Sequence, residues 1–349
     1  MNKQSAKISV IIPCFNAEFY LREALDSIVQ QTYENIEIIC IDDGSVDSTW
    51  NILNEFKSKY NHVKIFRNHE NLRLIKTLNK AISLATGEYI ARMDADDISY
   101  LDRLELQLQY LTYNKLDACG TLAELINQNG RHYGNLHQRC RLPRSIQVCS
   151  LFSSPLIHPS ILIKKEILNK YYYIDDSSCY VAEDYDLWCR LIRDNIKIGI
   201  VPKVLLKYRI SKHSESAAKK NIMLDNHMAI AIKQQFFFLG KAIDEQVNKI
   251  LIYNDLKSIK NVDIDIFVRI NKDISLIKRR FMHAASHEEM KEIQIFLYEK
   301  RMLLYLHLLK SNKFQIIVNS LLKICSILPK IGINKIICIL FSKLARLFY

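Results

Sequence analysis

Hydrophobic and polar positions follow two alternating periods along the first hundred residues. Short apolar runs typical of strands are separated by segments in which apolar residues recur every three or four positions, as on the buried face of a helix. The runs predict strands over residues 8–12, 36–41, 63–66 and 88–93. The segments between them predict three helices: one capped by Asn16 and extending through Ile28, one that begins at Asp47, and one over 74–84 that is stopped by Gly87. Strands alternating with helices are typical of βαβ units in a largely parallel sheet.

The pattern is less regular after residue 97. It predicts a helix over 101–113, a strand over 117–126 followed by a turn at Asn129-Gly130, an irregular or short-helical stretch over 142–154 and a strand over 161–163. An amphipathic helix over 179–194 precedes two strands, over 196–200 and 204–210, that would close the sheet. Beyond about residue 215 glycine and proline nearly vanish, and the pattern is helical to the end.

Two of the predicted strands run directly into acidic side chains. Asp42 and Asp43 follow the second strand, and Asp94, Asp96 and Asp97 follow the fourth. In an open α/β sheet, ligands bind at the carboxyl ends of the strands, and carboxylates there are typical ligands of a divalent cation. Each motif alone is weak, because Asp-Asp-Gly-Ser is a common turn sequence and Asp-Ala-Asp occurs by chance. Their placement at matched strand ends is the specific signal.

Composition is that of a globular protein with a core: 349 residues, 49% hydrophobic and 25% charged, enough for one large domain or two smaller ones. The nine cysteines form no Cys-x-x-Cys pair and no zinc-type Cys/His spacing, so we expect reduced, mostly buried thiols in a cytoplasmic protein. The apolar run near the amino terminus is short and meets Pro13, which favours a first strand over a signal peptide.

The formal net charge of +12 indicates an anionic partner. No Asp or Glu follows Glu299, whereas nine Lys and Arg side chains do, and they lie in an apolar tail without any nucleic-acid-binding motif. The tail therefore favours an anionic membrane surface, with no nucleic acid as partner. Over 314–347 the apolar spacing predicts interfacial helices, and no uncharged run is long enough to span a bilayer. A helical bundle packed on the preceding domain has the same periodicity and remains the alternative.

Four motifs occur in a familiar order: residues 9–16, then Asp42-Asp43-Gly44-Ser45, then Asp94-Ala95-Asp96-Asp97, then Ala182-Glu183-Asp184. Over roughly residues 7–215 the chain resembles glycosyltransferase family 2, the inverting enzymes of the GT-A fold. The resemblance implies a Rossmann-like α/β fold with a mixed, mostly parallel sheet flanked by helices. It places a catalytic domain at 1–215, with a nucleotide-sugar-binding half at 1–97 and an acceptor half at 98–215, before a helical C-terminal region at 216–349 with the basic amphipathic tail.

The resemblance implies transfer of a hexosyl or N-acetylhexosaminyl group from a nucleotide-diphosphate sugar, most simply a UDP-sugar, to a hydroxyl of a lipid-linked or polysaccharide acceptor. The enzyme would sit peripherally on the inner face of the cytoplasmic membrane, in bacterial surface polysaccharide biosynthesis (O-antigen, capsule or lipooligosaccharide). The implied cofactor is Mn²⁺ or Mg²⁺. By the same resemblance Asp96 binds this metal, Asp94 lies near the ribose, Asp43 meets the base, and Pro13 and Asn16 line the nucleotide pocket.

Asp184 is, by this match, the base that takes the proton of the acceptor hydroxyl, with Glu183 as its orienting neighbour. The alternative is that these acids only complement a helix dipole. His158 and Trp188 are expected on the acceptor side, although His158 could simply cap a turn. His213 could reach the metal or belong to a surface loop.

Lys76 is the candidate for the diphosphate, with a solvated helix lysine as its alternative. Two departures from the family's pattern surround it: Arg73 stands where a Gly is usual, and Leu78 where an Arg is frequent.

Two other functions compete with glycosyl transfer. A sugar nucleotidyltransferase could use a similar sheet, but no Gly-rich phosphate loop follows the first strand. A non-catalytic sugar-nucleotide-binding scaffold would have no use for Asp96 and Asp184, which argue against it.

Overall fold

A nine-stranded mixed sheet flanked by helices forms the centre of the molecule. The computed structural model describes residues 6–136, 138–210, 219–253 and 264–310. The strands are β1 Ile8–Cys14, β2 Ile36–Asp42, β3 Val63–Arg67, β4 Tyr89–Arg92, β5 Ile98–Ser99, β6 Ala118–Ile126, β7 His132–Leu136, β8 Leu162–Lys164 and β9 Ile198–Arg209. This is the α/β architecture that the sequence predicts.

The helices cover both faces of this sheet and continue beyond it. They are α1 Leu21–Val29, α2 Thr49–Lys59, α3 Arg73–Leu84, α4 Arg103–Tyr113, α5 Pro143–Cys149, α6 Lys165–Lys170, α7 Glu183–Arg193, α8 Lys220–Leu239, α9 Glu245–Tyr253, α10 Ile264–Phe281 and α11 His287–Lys310, with a 3-10 turn at His158–Ser160.

The strand order is β3-β2-β1-β4-β8-β6-β9-β5, and β7 pairs with the end of β6. The first four strands are parallel, β8 runs antiparallel between β4 and β6, and β9 is parallel to β6. One face of β1 packs with α1 and α2, and the other packs with α3. Strands covered on both faces must be apolar on both, which explains the uninterrupted runs in the sequence.

Parallel pairing sets the position of the acidic strand ends. Cys14 at the end of β1 pairs with Asp42, and Ile11 of the same strand pairs with Arg92 at the end of β4. The carboxyl ends of β1, β2 and β4 therefore meet at one edge of the sheet, with the acidic residues that follow them.

Asn16 does not cap α1, contrary to the sequence prediction. The helix begins at Leu21, and Asn16 adopts a left-handed conformation with φ of 47°. Its side-chain oxygen accepts a hydrogen bond from the backbone N–H of Val46 at 3.0 Å, and its own N–H donates to the hydroxyl of Ser45 at 2.9 Å. Asn16 thus ties the β1–α1 loop to the turn after β2.

The closing part of the sheet also differs from the prediction. The two strands predicted over 196–210 form the single strand β9, because register shifts against β6 between Thr121 and Ala123 absorb the irregular middle of this segment. The short elements β5, β7 and α6 were not predicted. The side chains of β7 are mostly exposed, so the strand lacks the alternation that would reveal it.

The helices α8 to α11 form a bundle packed on α5 and α7. Their core includes Val247, Ile277 and Phe296, which join Val148 and Phe152 of the preceding domain. Residues 311–349, which carry the predicted interfacial helices, lie outside the described residues. The division of the chain at residue 215 stays a prediction.

Lys300, assigned to the basic tail by sequence, belongs to this bundle instead. Its ammonium group donates to the carbonyl of Leu251 at 2.6 Å and lies 5.6 Å from the ring centroids of Phe152 and Phe296. Burial lowers the pKa of Lys300. Within the ranges given above, no helix combines the length and hydropathy needed to cross a membrane.

Gly87 allows β4 to begin close against β1, and its replacement tests that packing. A Cβ at Gly87 would lie 2.7 Å from the carbonyl oxygen of Lys7 and 2.8 Å from the backbone nitrogen of Ser9. Because neither backbone atom can move without disturbing the sheet, we expect Gly87→Ala to lower the free energy of unfolding by about 1 to 3 kcal/mol in urea titrations. Gly134→Ala in β7, whose Cβ would meet nothing nearer than 4.0 Å, is the matched control and should change stability by less than about 0.5 kcal/mol. Equal effects would contradict the close approach.

Candidate active site

A cavity of about 490 Å³ lies where the end of β4 faces the first turns of α3 and α7. Of the site residues predicted from sequence, its lining brings together five from three separate parts of the chain: Asp94, Asp96, His158, Glu183 and Asp184. Acids from the strand end and acids from a helix start therefore share one space.

Asp94, Asp96 and Asp97 form a cluster in which one carboxylate oxygen from each lies within 4.8 Å of the others. Burial, followed by the charge of Asp94, raises the pKa of Asp96 to about 6. The same two causes, joined by the charge of Asp96, raise the pKa of Asp97. Oδ2 of Asp97 is buried and has no hydrogen-bond partner among the described residues. Hard oxygen donors that repel one another in this way suit Mg²⁺ or Mn²⁺.

Arg92 neutralises one member of the cluster. This buried side chain is the last residue of β4, and its Nη1 donates to Oδ2 of Asp94 at 2.7 Å while Nη2 pairs with Oδ1. Such a two-point pair holds both oxygens of Asp94. Asp96 has no comparable partner within the described part of the chain, so it is the carboxylate best placed to hold a cation.

Arg209 fixes the backbone of the acidic segment from the opposite strand. Its Nε donates to the carbonyl of Asp96 at 2.7 Å, and its backbone N–H donates to Oδ1 of Asp97 at 2.9 Å. Its Nη2 bonds Glu23 at 2.6 Å, and its guanidinium lies 4.3 Å from the ring centroid of Tyr20. Arg209 thereby joins β9, the acidic segment and α1.

A third buried arginine lies beneath the cluster. Nη2 of Arg103 donates to the carbonyl of Arg92 at 2.8 Å, and Nε donates to Gln107 at 3.0 Å. Burial lowers the pKa of Arg103 to about 10, so it is still charged at neutral pH. Sequence reasoning missed Arg92, Arg103 and Arg209. The one local signal was the position of Arg92 two residues before Asp94.

Asp184 lies in the first turn of α7, where the helix dipole stabilises a carboxylate. Its Oδ2 accepts a hydrogen bond from the hydroxyl of Ser154 at 3.0 Å. The helix begins at Glu183 rather than at the predicted residue 179, because Val181 has a φ of 60° that no continuing helix allows. Asp186 pairs with Arg190 at 2.7 Å along the helix.

His158 opens the 3-10 turn and enters the cavity wall as a neutral ring. Burial, followed by the charge of Arg92, lowers its pKa well below the ordinary value. Its Nε2 and the hydroxyl of Tyr173 are 2.6 Å apart, and its ring meets the ring of Trp188 edge-on at a centroid distance of 6.0 Å. Trp188 is fully buried and does not line the cavity, so it supports His158 from beneath.

The remaining predicted residues lie outside the cavity lining. Pro13, Asn16 and Asp43 stand at the same sheet edge, and Oδ1 of the buried Asp43 accepts from Asn68 at 2.6 Å and from the backbone of Leu72 at 3.0 Å. The exposed side chain of Lys76 pairs with Asp175 at 3.6 Å. His213 lies outside the described residues.

Arg73, three residues before Lys76, lines the cavity, whereas Lys76 does not. It has a φ of 70°, and its backbone N–H donates to Oδ1 of Asn71 at 2.8 Å. Its guanidinium lies 5.6 Å from the ring centroid of Tyr180, across the cavity. Glycine adopts a left-handed conformation without the steric cost that a Cβ adds. The local backbone therefore accounts for the Gly usual at this position, and here an arginine adds positive charge.

Sequence comparisons match this chain to glycosyltransferases. The family model for glycosyl transferase family 2 matches residues 9–172. A glycosyltransferase of Haemophilus influenzae is 32% identical over 279 residues, which are 78% of this chain and 83% of that protein. The O-antigen biosynthesis glycosyltransferase WbnJ of Escherichia coli is 33% identical over 219 residues, which are 61% of this chain and 82% of WbnJ.

Solved structures share the fold. Staphylococcus aureus TarS 1–349 in complex with UDP-GlcNAc superposes with a TM-score of 0.57 at 18% identity, covering 85% of this chain and 92% of that one. The mannosyltransferase PcManGT of Pyrobaculum calidifontis, in complex with GDP-Man and Mn²⁺, gives a TM-score of 0.53 at 17% identity and covers 86% and 88%. The predicted GT-A fold is confirmed by these neighbours.

Two substitutions at residue 73 separate backbone strain from side-chain contacts. Both Arg73→Gly and Arg73→Ala remove the guanidinium, but only glycine adopts a φ of 70° freely. We expect the glycine variant to be more stable than the alanine variant by about 1 kcal/mol, measured by urea denaturation. An alanine variant of equal or greater stability would contradict the left-handed conformation.

Proposed function

The chain belongs to glycosyltransferase family 2, and we propose that it transfers a sugar from a nucleotide-diphosphate donor to an acceptor hydroxyl with inversion and with a divalent metal. The observation that carries the proposal is the pairing, in one cavity, of a cation-type carboxylate cluster with the acids at the start of α7, Asp184 among them. The carboxylate cluster could hold a cation beside a leaving diphosphate. An acid of α7 could accept the proton of an attacking hydroxyl.

The donor half of the proposal rests on the sheet edge. Pro13, Asn16 and Asp43 stand where a nucleotide would lie beside the strand ends, with Asp43 toward the base and Asp94 toward the ribose. A UDP-sugar is the proposed donor, since TarS was crystallised with UDP-GlcNAc, although PcManGT was crystallised with GDP-Man.

Asp96 is the proposed metal ligand. A bound Mn²⁺ or Mg²⁺ would act as a Lewis acid that stabilises the departing diphosphate. Arg92 keeps Asp94 compensated, and Arg209 holds the peptide of Asp96 in place. Arg73, on the cavity wall at the start of α3, adds a positive charge that favours a bound diphosphate. In this arrangement Lys76 has a supporting role at most, because Asp175 already pairs with it.

Asp184 is the proposed general base. It takes the proton of the acceptor hydroxyl while the acceptor oxygen bonds to the anomeric carbon and the bond from that carbon to the diphosphate breaks on the opposite face. Ser154 orients its carboxylate through Oδ2. Glu183 and the neutral His158 line the acceptor side, with Trp188 fixing the His158 ring.

A lipid-linked or polysaccharide acceptor, at the inner face of the cytoplasmic membrane, completes the proposal. WbnJ, which is 33% identical to this chain, is an O-antigen biosynthesis enzyme, and this supports a role in surface polysaccharide assembly. The proposed division is a catalytic domain over 1–215 and a helical region over 216–349 whose basic tail contributes to membrane binding.

Asp184→Asn removes the proposed base while keeping shape and hydrogen-bonding capacity. We expect sugar transfer to fall by about two to four orders of magnitude, with donor affinity nearly unchanged. Asp186→Asn is the matched control in the same helical turn. It loses only the pair with Arg190, so its transfer rate should stay close to that of the unchanged protein. A normal rate for Asp184→Asn in a coupled assay of nucleotide release would place the base elsewhere.

Asp96→Asn tests the metal site through binding rather than turnover. Because a neutral amide is a poor ligand for a hard cation, the thermal stabilisation produced by Mn²⁺ together with UDP should be lost. Asp102→Asn, an exposed acid that pairs with Lys203, should retain that stabilisation. Equal stabilisation of both variants would remove Asp96 from the metal site.

A further inference from the structure

One face of the helical extension combines exposed aromatic rings with a cluster of cations. The cationic aromatic face consists of Phe236, Phe237, Lys272, Arg279 and Arg280 from the extension, with Arg144 and Arg193 from the ends of α5 and α7. Except for Phe236, which precedes Phe237 in the sequence, these residues line three adjoining cavities beside the end of α8 and the second half of α10. The surface lies apart from the candidate active site and has no part in the chemistry proposed above.

The aromatic rings are open to solvent. Phe236 and Phe237 are each 55% exposed at the last turn of α8, directly before Gly240 ends the helix with a φ of 73°. By contrast, their neighbour Phe238 packs against Phe281 at a centroid distance of 5.4 Å. Both rings expose apolar surface to water, and Phe237 does so within the cavities that the cations line.

The cations of this face are not paired with acids in the part of the chain that the structure describes. Among the described residues, Arg144, Arg193, Lys272, Arg279 and Arg280 form no ion pair with any acid. The one described contact of the Arg280 guanidinium is with the carbonyl of Phe238 at 3.1 Å. Lys241 at the rim, in contrast, pairs with the buried Asp273 at 2.7 Å.

No Asp or Glu of the described residues lines the three cavities. No Asp or Glu follows Glu299 in the sequence. A partner that matches this face would carry anionic groups and would also accept an exposed aromatic side chain. Phospholipid headgroups over acyl chains meet both requirements, because phosphates pair with guanidinium groups while phenylalanine enters the interfacial layer.

We propose that the cationic aromatic face docks the protein on an anionic phospholipid surface. This extends the membrane location proposed above from the tail to a surface within the folded extension. The proposal also defines how the protein would be oriented on the membrane. Arg193 ends the helix whose first turn carries Asp184, and nine residues of α-helix span about 14 Å. On the proposed function, a membrane under this face would lie about that far from the base, within reach of a lipid-linked acceptor.

The first experiment measures sedimentation of the full chain with vesicles of phosphatidylglycerol and phosphatidylcholine. Lys272→Glu/Arg279→Glu reverses two exposed charges of the face, and Lys57→Glu/Arg131→Glu makes the same charge change at exposed sites elsewhere. Each cation near an anionic surface strengthens binding roughly fivefold, so the first variant should bind anionic vesicles at least about twentyfold more weakly. The control should change little, and both should hydrolyse donor normally, which separates this outcome from a failure of the proposed activity.

The second experiment reports contact directly, independently of binding by the tail. Phe237→Trp should be quenched by brominated phosphatidylglycerol, whereas Tyr113→Trp, at an 87% exposed position, should not. The background from Trp50 and Trp188 is common to both variants. Unquenched fluorescence at residue 237 on vesicles that bind the protein would overturn the proposal. So would charge reversal without effect on vesicle binding, or preferential binding of the face to an oligonucleotide.

Discussion

The structure depends on balancing three carboxylates that follow one strand. Asp94, Asp96 and Asp97 lie too close together to be ionised in isolation, and the fold surrounds them with guanidinium groups from three different elements. Arg92 pairs with Asp94, while Arg103 and Arg209 bind the backbone on either side of the cluster. Burying a charged group costs free energy unless ion pairs or hydrogen bonds compensate it. Each buried arginine therefore depends on the acids and backbone carbonyls that it contacts. The same contacts hold β4, β9 and α4 together.

The second half of the site is positioned by packing of the helical extension. Tyr185, next to the proposed base, donates its hydroxyl to the carbonyl of Ser150 at 2.7 Å. Gln234 of α8 donates to the hydroxyl of the same Ser150 at 3.0 Å. Residues far apart in the chain thus meet at one buried serine behind the first turn of α7. The helical extension therefore supports α7, in addition to any contact it makes with a membrane.

Much of this could be predicted from the sequence, because apolar runs and acidic strand ends are local signals. Parallel strands buried on both faces leave uninterrupted runs such as residues 36–41, and parallel topology then forces Asp42 and Asp94 to one edge. The arginines could not be predicted. A buried Arg103 has the same sequence signature as an exposed one, since its partners are carbonyl groups supplied by tertiary structure. The prediction that Asn16 caps the first helix failed for a related reason: its hydrogen-bond partner, Val46, is 30 residues away in the sequence.

The pairing of Arg92 with Asp94 has a consequence for the order of assembly. With Asp94 occupied, the cluster offers an incoming cation Asp96 and one oxygen of Asp97, and two carboxylates are a poor site for an ion that prefers about six oxygens. In the proposed reaction the diphosphate would supply further oxygen ligands. Metal and donor then act as mutual effectors: each raises the affinity of the other by the same factor, as thermodynamic linkage requires. The protein would stay nearly metal-free until a nucleotide sugar binds. The fraction of protein with a bound cation would then follow the concentration of the donor.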